Sequence, residues 1–439
     1  MKKIIFTLIS LTFVQLLQAQ FFTTYDWERD ATSYMDESFN ENESLLVLKR
    51  YHIEHFDQGK QGIIQYNLTH NIYFLNSDES IESFNKVYIP IAPQRELMLN
   101  KARVISPSGE IKVLEDDKII EAKEEDTGRV MKYFAFEGIE KGSYIEYIHV
   151  LKMNPQVYGT RINMQQFIPV HEAIFDLLTL EKLEFKFKSY NGLEQVTQED
   201  KGNTRTYTIK ANNLPEMPRE SLATPRTHLQ YFIYALDNNN FNNSKDISSY
   251  AGVAKDIHNY LYQDFSKKQE KALAKLANSL KLERYSTTDD KVMAIENHIK
   301  RNFYFTSGPN DQLADFDFIM ENQVANDRGI MLLYMKLLNY ANVDATPVIT
   351  CDRSDNIFDE SFEAHNFLKD FLVLIDETGA FIAPEESDAR YPYLPNKFAE
   401  NNGLFLRKLK VGNFVSAASE IDFIPALEAT KNTDKKISL

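Results

Sequence analysis

Residues Ile330 to Leu338, IMLLYMKLL, are apolar on nearly every face of the helix they would form. A helix without a polar stripe cannot rest on a surface, so the rest of the chain must cover it on all sides. Asn342 then stands where a helix can end in a left-handed turn, and ATPVIT, residues 345–350, reads as a strand. FLVLID and AFIA follow as a hairpin across Glu377-Thr378-Gly379. A buried helix followed by antiparallel strands makes this part of the chain α+β.

Upstream the period changes from helical to alternating. Between Ser44 and Tyr147 the tracts LLVLKRYHIEHF, GIIQYNLTHNIYFL, FNKVYIPI, MKYFAFEGI and SYIEYIHVL read as strands. Pro107-Ser108-Gly109 supplies turn chemistry for a hairpin inside KARVISPSGEIKVL. KLEFKFKSYNG and TRTYTIKA carry the pattern to Ala211, so the N-terminal part is expected to be an antiparallel β-sandwich-like domain.

A stretch marked by Pro and Asn comes next, NNLPEMPRESLATPRTH, with the strand-like LQYFIYAL behind it. From Ile247 to Leu282 helical spacing takes over, and KKQEKALAKLANSLKLE has the propensity of a solvated helix. Thr288 is placed to cap a further helix in which Val292, Ile295 and Ile299 share one face. The expected organisation is a signal peptide at 1–19, a β-rich domain at 20–235 and a helical linker at 236–284. A further domain at 285–410 comes next, and then residues 411–439, read as a tail or as the start of a truncated β domain.

Lys2 and Lys3, the apolar run Ile4 to Leu17 and Ala19 at a cleavage point form the pattern of a secretory signal. The run is too short to be kept as a membrane span, and no cysteine follows it to carry a lipid. The chain is therefore expected to cross the inner membrane and to work in the periplasm or envelope, with no transmembrane anchor. Its net charge is -15, and loss of the two lysines makes it two charges more negative, which disfavours nucleic acid and anionic lipid as partners. Cys351 is the one cysteine, so no internal disulfide and no thiolate zinc site can form. No cofactor or metal is expected.

The order of motifs resembles that of bacterial envelope proteins in which a β-rich domain of unknown function precedes a transglutaminase-like domain of the papain-like superfamily. The similarity runs through FNKVYIPI, ARVISPSGEIKVL and FAFEGIEKGSYIEYIH in the first part. In the second it runs through KVMAIENHIKRNFYF, LLYMKLLNYANVDATPV and YPYLPNKFAENNGLFL. Active members of the superfamily place a catalytic Cys at the start of the buried helix, where the helix dipole favours thiolate. A His on the next strand serves as base and an Asp further on orients it. Carried onto this chain, the nucleophile position falls on Asp327, or on Ala325 after a two-residue slip. The base position falls on Asp370, or Lys369, and the orienting acid on Ala383. The resemblance thus implies a transglutaminase-like fold with a degenerate triad: a pseudoenzyme that binds or scaffolds an envelope peptide, glycan or protein.

The competing assignment is a cysteine-dependent transglutaminase or peptidase using Cys351 and His365, although DRSDN after Cys351 reads as a loop with no helix dipole. Asp327 has a structural role open to it as the cap of the buried helix. Asp352, Asp355, Asp359 and Glu360 form an acidic loop without the spacing of an EF-hand. His52 and His55 are three apart on one strand and point to opposite faces, which argues against a shared metal.

Overall fold

Alternation of apolar residues becomes a large sheet. The computed structural model describes Phe22, Tyr25 and residues 43–426, apart from 90, 92–93, 115–117, 124–129, 221–222, 309 and 412–413. Residues 1–19, expected as a secretory signal, and the last residues, 427–439, lie outside the described residues. Strands make up the greater part of the regular structure and the chain is mixed α+β, as the sequence indicates.

Two compact units divide the chain. The first holds the described residues through Gln156, those of 162–221, and Leu229–Phe232; the second holds Val157–Arg161, those of 222–228, and Ile233 onward. The early strands are β1 (Leu45–Gly59), β2 (Gly62–Leu75), β3 (Lys86–Ile89), β4 (Arg95–Ile105), β5 (Ile111–Leu114), β6 (Ile120–Lys123) and β7 (Val130–Ala135), with helix α1 (Asp78–Phe84) after β2. They continue with β8 (Ser143–Met153), β9 (Thr160–Asn163), β10 (Val170–Leu180), β11 (Leu183–Tyr190), β12 (Thr197–Lys201) and β13 (Thr204–Leu214).

An eight-stranded sheet runs in the order β12-β13-β10-β1-β2-β8-β4-β5, and β3, β7 and β6 form a second sheet. Pairs in the large sheet are antiparallel where partners are recorded, except that β1 and β10 run parallel. Phe134 of β7 meets Tyr147 of β8 edge to face, joining the smaller sheet to the larger one. The 107–109 turn is as expected: Gly109 has φ +86°, its N–H donates to Ser106 O at 2.9 Å, and Ile105 pairs with Ile111. One face of the large sheet carries an apolar cluster of Ile53, Leu68, Ile148 and Val150 with Phe22.

The second unit follows the short α2 (Pro225–His228) and β14 (Tyr231–Asn239) with helices α3 (Tyr250–Leu261), α4 (Lys267–Ser279) and α5 (Thr288–Asn302). After β15 (Tyr304–Phe305) come α6 (Phe316–Asn322), β16 (Val324–Ala325) and α7 (Asp327–Tyr340). Strands β17 (Ala345–Thr350), β18 (Asp370–Ile375), β19 (Phe381–Ile382), β20 (Asn401–Val411) and β21 (Phe414–Ile424) form a sheet in the order β19-β18-β17-β20-β21. Helices α3 and α4, expected as a linker, belong to this unit, and β21 from the expected tail is its edge strand. Helix α4 buries only Leu273 and Ala277, in keeping with its lysine-rich sequence.

Helix α7 is enclosed as its composition demands. Every residue from Gly329 to Leu338 except Lys336 is buried, and Asn342 takes φ +53° just past its end. Two caps sit one residue earlier than the sequence indicates. Thr287, not Thr288, caps α5 by accepting Asp290 N at 3.1 Å, and Asn326, not Asp327, caps α7 by accepting Gly329 N at 3.0 Å. In both pairs the neighbouring residues are equally good cap formers, so backbone geometry decides. Gly329 also permits a close approach: a Cβ there would stand 2.2 Å from Leu313 O, in the short helical turn Asp311–Ala314. That carbonyl already accepts Asn326 N at 3.1 Å and has little freedom to retreat. Gly329→Ala should therefore cost about 1–3 kcal/mol by overpacking, seen as a lower urea midpoint for the second unit. An unchanged midpoint would contradict the contact.

Candidate functional site

The start of α7 brings together residues from three separate elements. Asp327 is the first residue of that helix and half-buried, where a carboxylate meets the positive end of the helix dipole. Asp370 is the first residue of β18 and is also half-buried. Glu385 lies just beyond β19, and its Oε1 accepts the Phe371 N–H at 3.2 Å, which fixes it beside the start of β18.

Ala383, the position reached by counting along the resemblance, does not face this site. It is buried in an apolar cluster with Val348, Leu372, Phe381, Phe398 and Phe405. The carboxyl that joins Asp327 and Asp370 is Glu385, two residues later. Strand β19 is only two residues long, and Pro384 ends it, so the acid beyond the proline turns back toward β18. The doublet Glu385-Glu386 after a proline is the signal in the sequence for this residue.

Burial is the main cause that pushes the Glu385 carboxyl up to about 8, and the charges of Asp370, Asp327 and Glu386 add to it. The Phe371 N–H pulls the other way and is outweighed. Asp370 is raised by burial too, with Asp352 and Glu386 adding and Lys397 opposing. Lys397 is partly buried, which works against its charge, but its 2.6 Å pairing with Glu386 and the nearby Asp370 and Asp352 raise it overall. At neutral pH the site therefore holds a protonated Glu385, able to donate a hydrogen bond.

Arg328 points elsewhere, its guanidinium 4.6 Å from the Tyr260 ring centroid. The slip positions differ in character: Ala325 is buried in β16, while Lys369 is exposed and its N–H donates to Thr350 O at 2.8 Å.

Cys351 follows β17 and is buried. Its thiol donates to Asn356 O at 3.1 Å, and Asn401 Nδ2 donates to its main-chain oxygen at 3.1 Å. Burial, with the charges of Asp370, Asp352 and Asp355, pushes that thiol up to about 12. His365 opens the turn His365–Phe367, with its ring stacked 4.8 Å from that of Tyr158. The thiol is thus engaged by asparagine groups, and the His365 ring by a tyrosine.

In the acidic loop Asp352 accepts Ser354 N and Asp359 accepts Ser361 N, each at 2.8 Å, while Asp355 pairs with Arg226. Glu360 is exposed. Among the described residues no cluster of three or more His, Cys, Asp or Glu side chains is arranged to hold a metal. His52 and His55 do lie on opposite faces of β1: His52 stands opposite Thr69, and His55 is stacked on Tyr66.

Residues 66–218 match a family. Its description is a Domain of Unknown Function with solved structure, DUF3857. No curated protein matches the chain. Among solved structures, a candidate protease from Parabacteroides distasonis is 14% identical, over 88% of this chain and 72% of its own, with a TM-score of 0.63. At that identity the likeness is one of fold. A structure described as a TGase covers 52% of this chain and 55% of its own at 12% identity, but its TM-score of 0.23 carries no argument. The same holds for an M1 zinc metallopeptidase from Deinococcus radiodurans, 6% identical over 43% of this chain and 42% of its own, with a TM-score of 0.25. Among the described residues no helix is long and apolar enough to cross a membrane.

The raised Glu385 carboxyl has a consequence for stability. The folded chain keeps a proton that an unfolded glutamate releases near pH 4.3, so the contribution is full below that value. It is lost as pH rises through about 8. Urea midpoints should therefore fall from about pH 5 to pH 8, and Glu385→Gln, which keeps the neutral hydrogen-bonding form, should remove most of that slope. An equal slope in the variant would place the titrating group elsewhere.

Proposed function

We propose that this is an exported, non-catalytic protein of the cell envelope whose transglutaminase-like C-terminal domain binds or scaffolds. The observation that carries this is the set of side chains at the start of α7. Where an enzyme of the resembling superfamily would present a thiol and an imidazole, this chain presents Asp327 and Asp370, with Glu385 beside them. A carboxylate at the helix start satisfies the dipole that would otherwise stabilise a thiolate, and it leaves no nucleophile for acyl transfer. What remains is a recognition surface. The carboxyl oxygens accept hydrogen bonds, and protonated Glu385 can donate one, which suits the amides of a peptide or the hydroxyl and acetamido groups of a glycan.

Cys351 supports the same conclusion from the other side. A buried thiol pushed up to about 12 is almost wholly protonated at neutral pH, so it is a poor nucleophile. Iodoacetamide at about pH 8 should leave Cys351 unmodified in the folded protein and label it once urea is added. Cys351→Ala should leave any peptide or glycan binding unchanged, and no glutamine acyl transfer should be detected in either form. Rapid labelling of the folded chain together with thiol-dependent release of ammonia from a glutamine peptide would overturn the proposal in favour of a cysteine enzyme.

A further inference from the structure

Helix α7 carries one charged residue in its buried run. Lys336 stands between Gly329 and Leu338, where every other residue is covered, and is itself half-buried. A charge at such a position is costly unless it reaches water or a partner. Lys336 lines a cavity of about 300 Å³ between the end of α3, the first turns of α4 and the later turns of α7. That volume lies at the small end of the range for small-molecule sites, about 300–1,000 Å³. Leu261, Leu273 and Met335 also line it and are buried, whereas Asp264, Glu270 and Asn339 are exposed, so the cavity opens to solvent.

The polar groups of this cavity are only partly engaged. Lys336 Nζ donates to Gln263 O at 2.6 Å and lies 4.2 Å from the Phe265 ring centroid. Phe265 is braced in turn by the Phe316 ring, 4.4 Å away. An ammonium has three donors, and the carbonyl takes one of them. Burial lowers Lys336 from its ordinary value, and the charge of Asp264 opposes that without reversing it. Among the described residues the side chains of Asp264, Glu270 and Asn339 form no hydrogen bond or ion pair with a protein group. The cavity therefore holds spare capacity for partners of both signs.

We infer that this cavity is a binding site for a small zwitterion of the α-amino acid class with an apolar side chain. The ligand carboxylate meets the remaining donors of Lys336 and the Asn339 amide. Its ammonium meets Asp264 and Glu270, and its side chain lies against Leu261, Leu273 and Met335. An anion alone would face two acidic side chains, and a cation alone would face Lys336. A molecule that carries both charges is the class for which each charge has an opposite partner.

Isothermal titration calorimetry of the full chain with L-leucine, L-methionine and L-phenylalanine tests this. At least one should give a saturable heat, and its N-acetyl and carboxamide analogues, each lacking one charge, should bind about ten-fold more weakly. Asp264→Asn combined with Glu270→Gln should weaken the amino acid by a similar factor and leave the N-acetyl analogue unchanged. Lys336→Met should do the converse and spare the carboxamide. Absence of saturable heat from all three amino acids at tens of millimolar overturns the proposal. A one-charge analogue that binds as tightly as its parent, or a double variant that binds like wild type, overturns it equally. Asp264 and Glu270 are exposed, so the double variant keeps the fold and decides the question even where Lys336→Met does not fold. The cavity shares no residue with the carboxyl cluster at the start of α7, so its failure leaves the proposed function untouched.

Discussion

Burial of α7 is the constraint on which the second unit depends. A helix apolar all round gains from cover on every side, at about 25 cal/mol for each Å² of apolar surface removed from water. Covering it requires the sheet β19-β18-β17-β20-β21 and the neighbouring helices to close around it. Gly329 and Asn326 show how tight the closure is, since Asn326 N–H donates to the Leu313 carbonyl and a Cβ at Gly329 would run into it. Such a helix has one end free to meet solvent and ligands, and its orphan N–H groups are turned toward that end. The carboxyl cluster sits there for that reason.

That placement explains why the acids behave differently from one another. Asp327 has the helix start to offset its charge. Asp370 and Glu385 lie in the same confined space, and three carboxylates cannot all ionise there cheaply, so one keeps its proton. Lys397 opposes the rise at Asp370 and pairs with Glu386, whereas Glu385 is pushed up to about 8. A mixed set of donor and acceptor carboxyls is a product of burial and repulsion and needs no ligand to sustain it.

Much of the fold could be read from local pattern. The turns at Gly109 and Gly379 each require positive φ, and glycine announces it; the buried helix and the left-handed Asn342 are equally plain. Other features depend on geometry that pattern does not carry. Thr287 and Thr288 are chemically alike, as are Asn326 and Asp327 in capping ability, so the cap is settled by the path of the backbone. Glu385 escaped because β19 is too short for its register to fix the residues beyond it, where a proline reverses the chain. The cover over both faces of β8 escaped because alternation marks two faces but cannot tell that both are covered. Strand β8 is buried at every residue from Ser143 to Leu151, histidine and glutamate included.

The claim that most needs a direct measurement is that Asp327, Asp370 and Glu385 share one confined site. A carbon-detected NMR titration of the Glu385 carboxyl in the intact chain measures this. The account predicts a midpoint near 8 that falls when Asp370 is replaced by Asn. A midpoint in the ordinary glutamate range near 4.3, insensitive to that replacement, would contradict it.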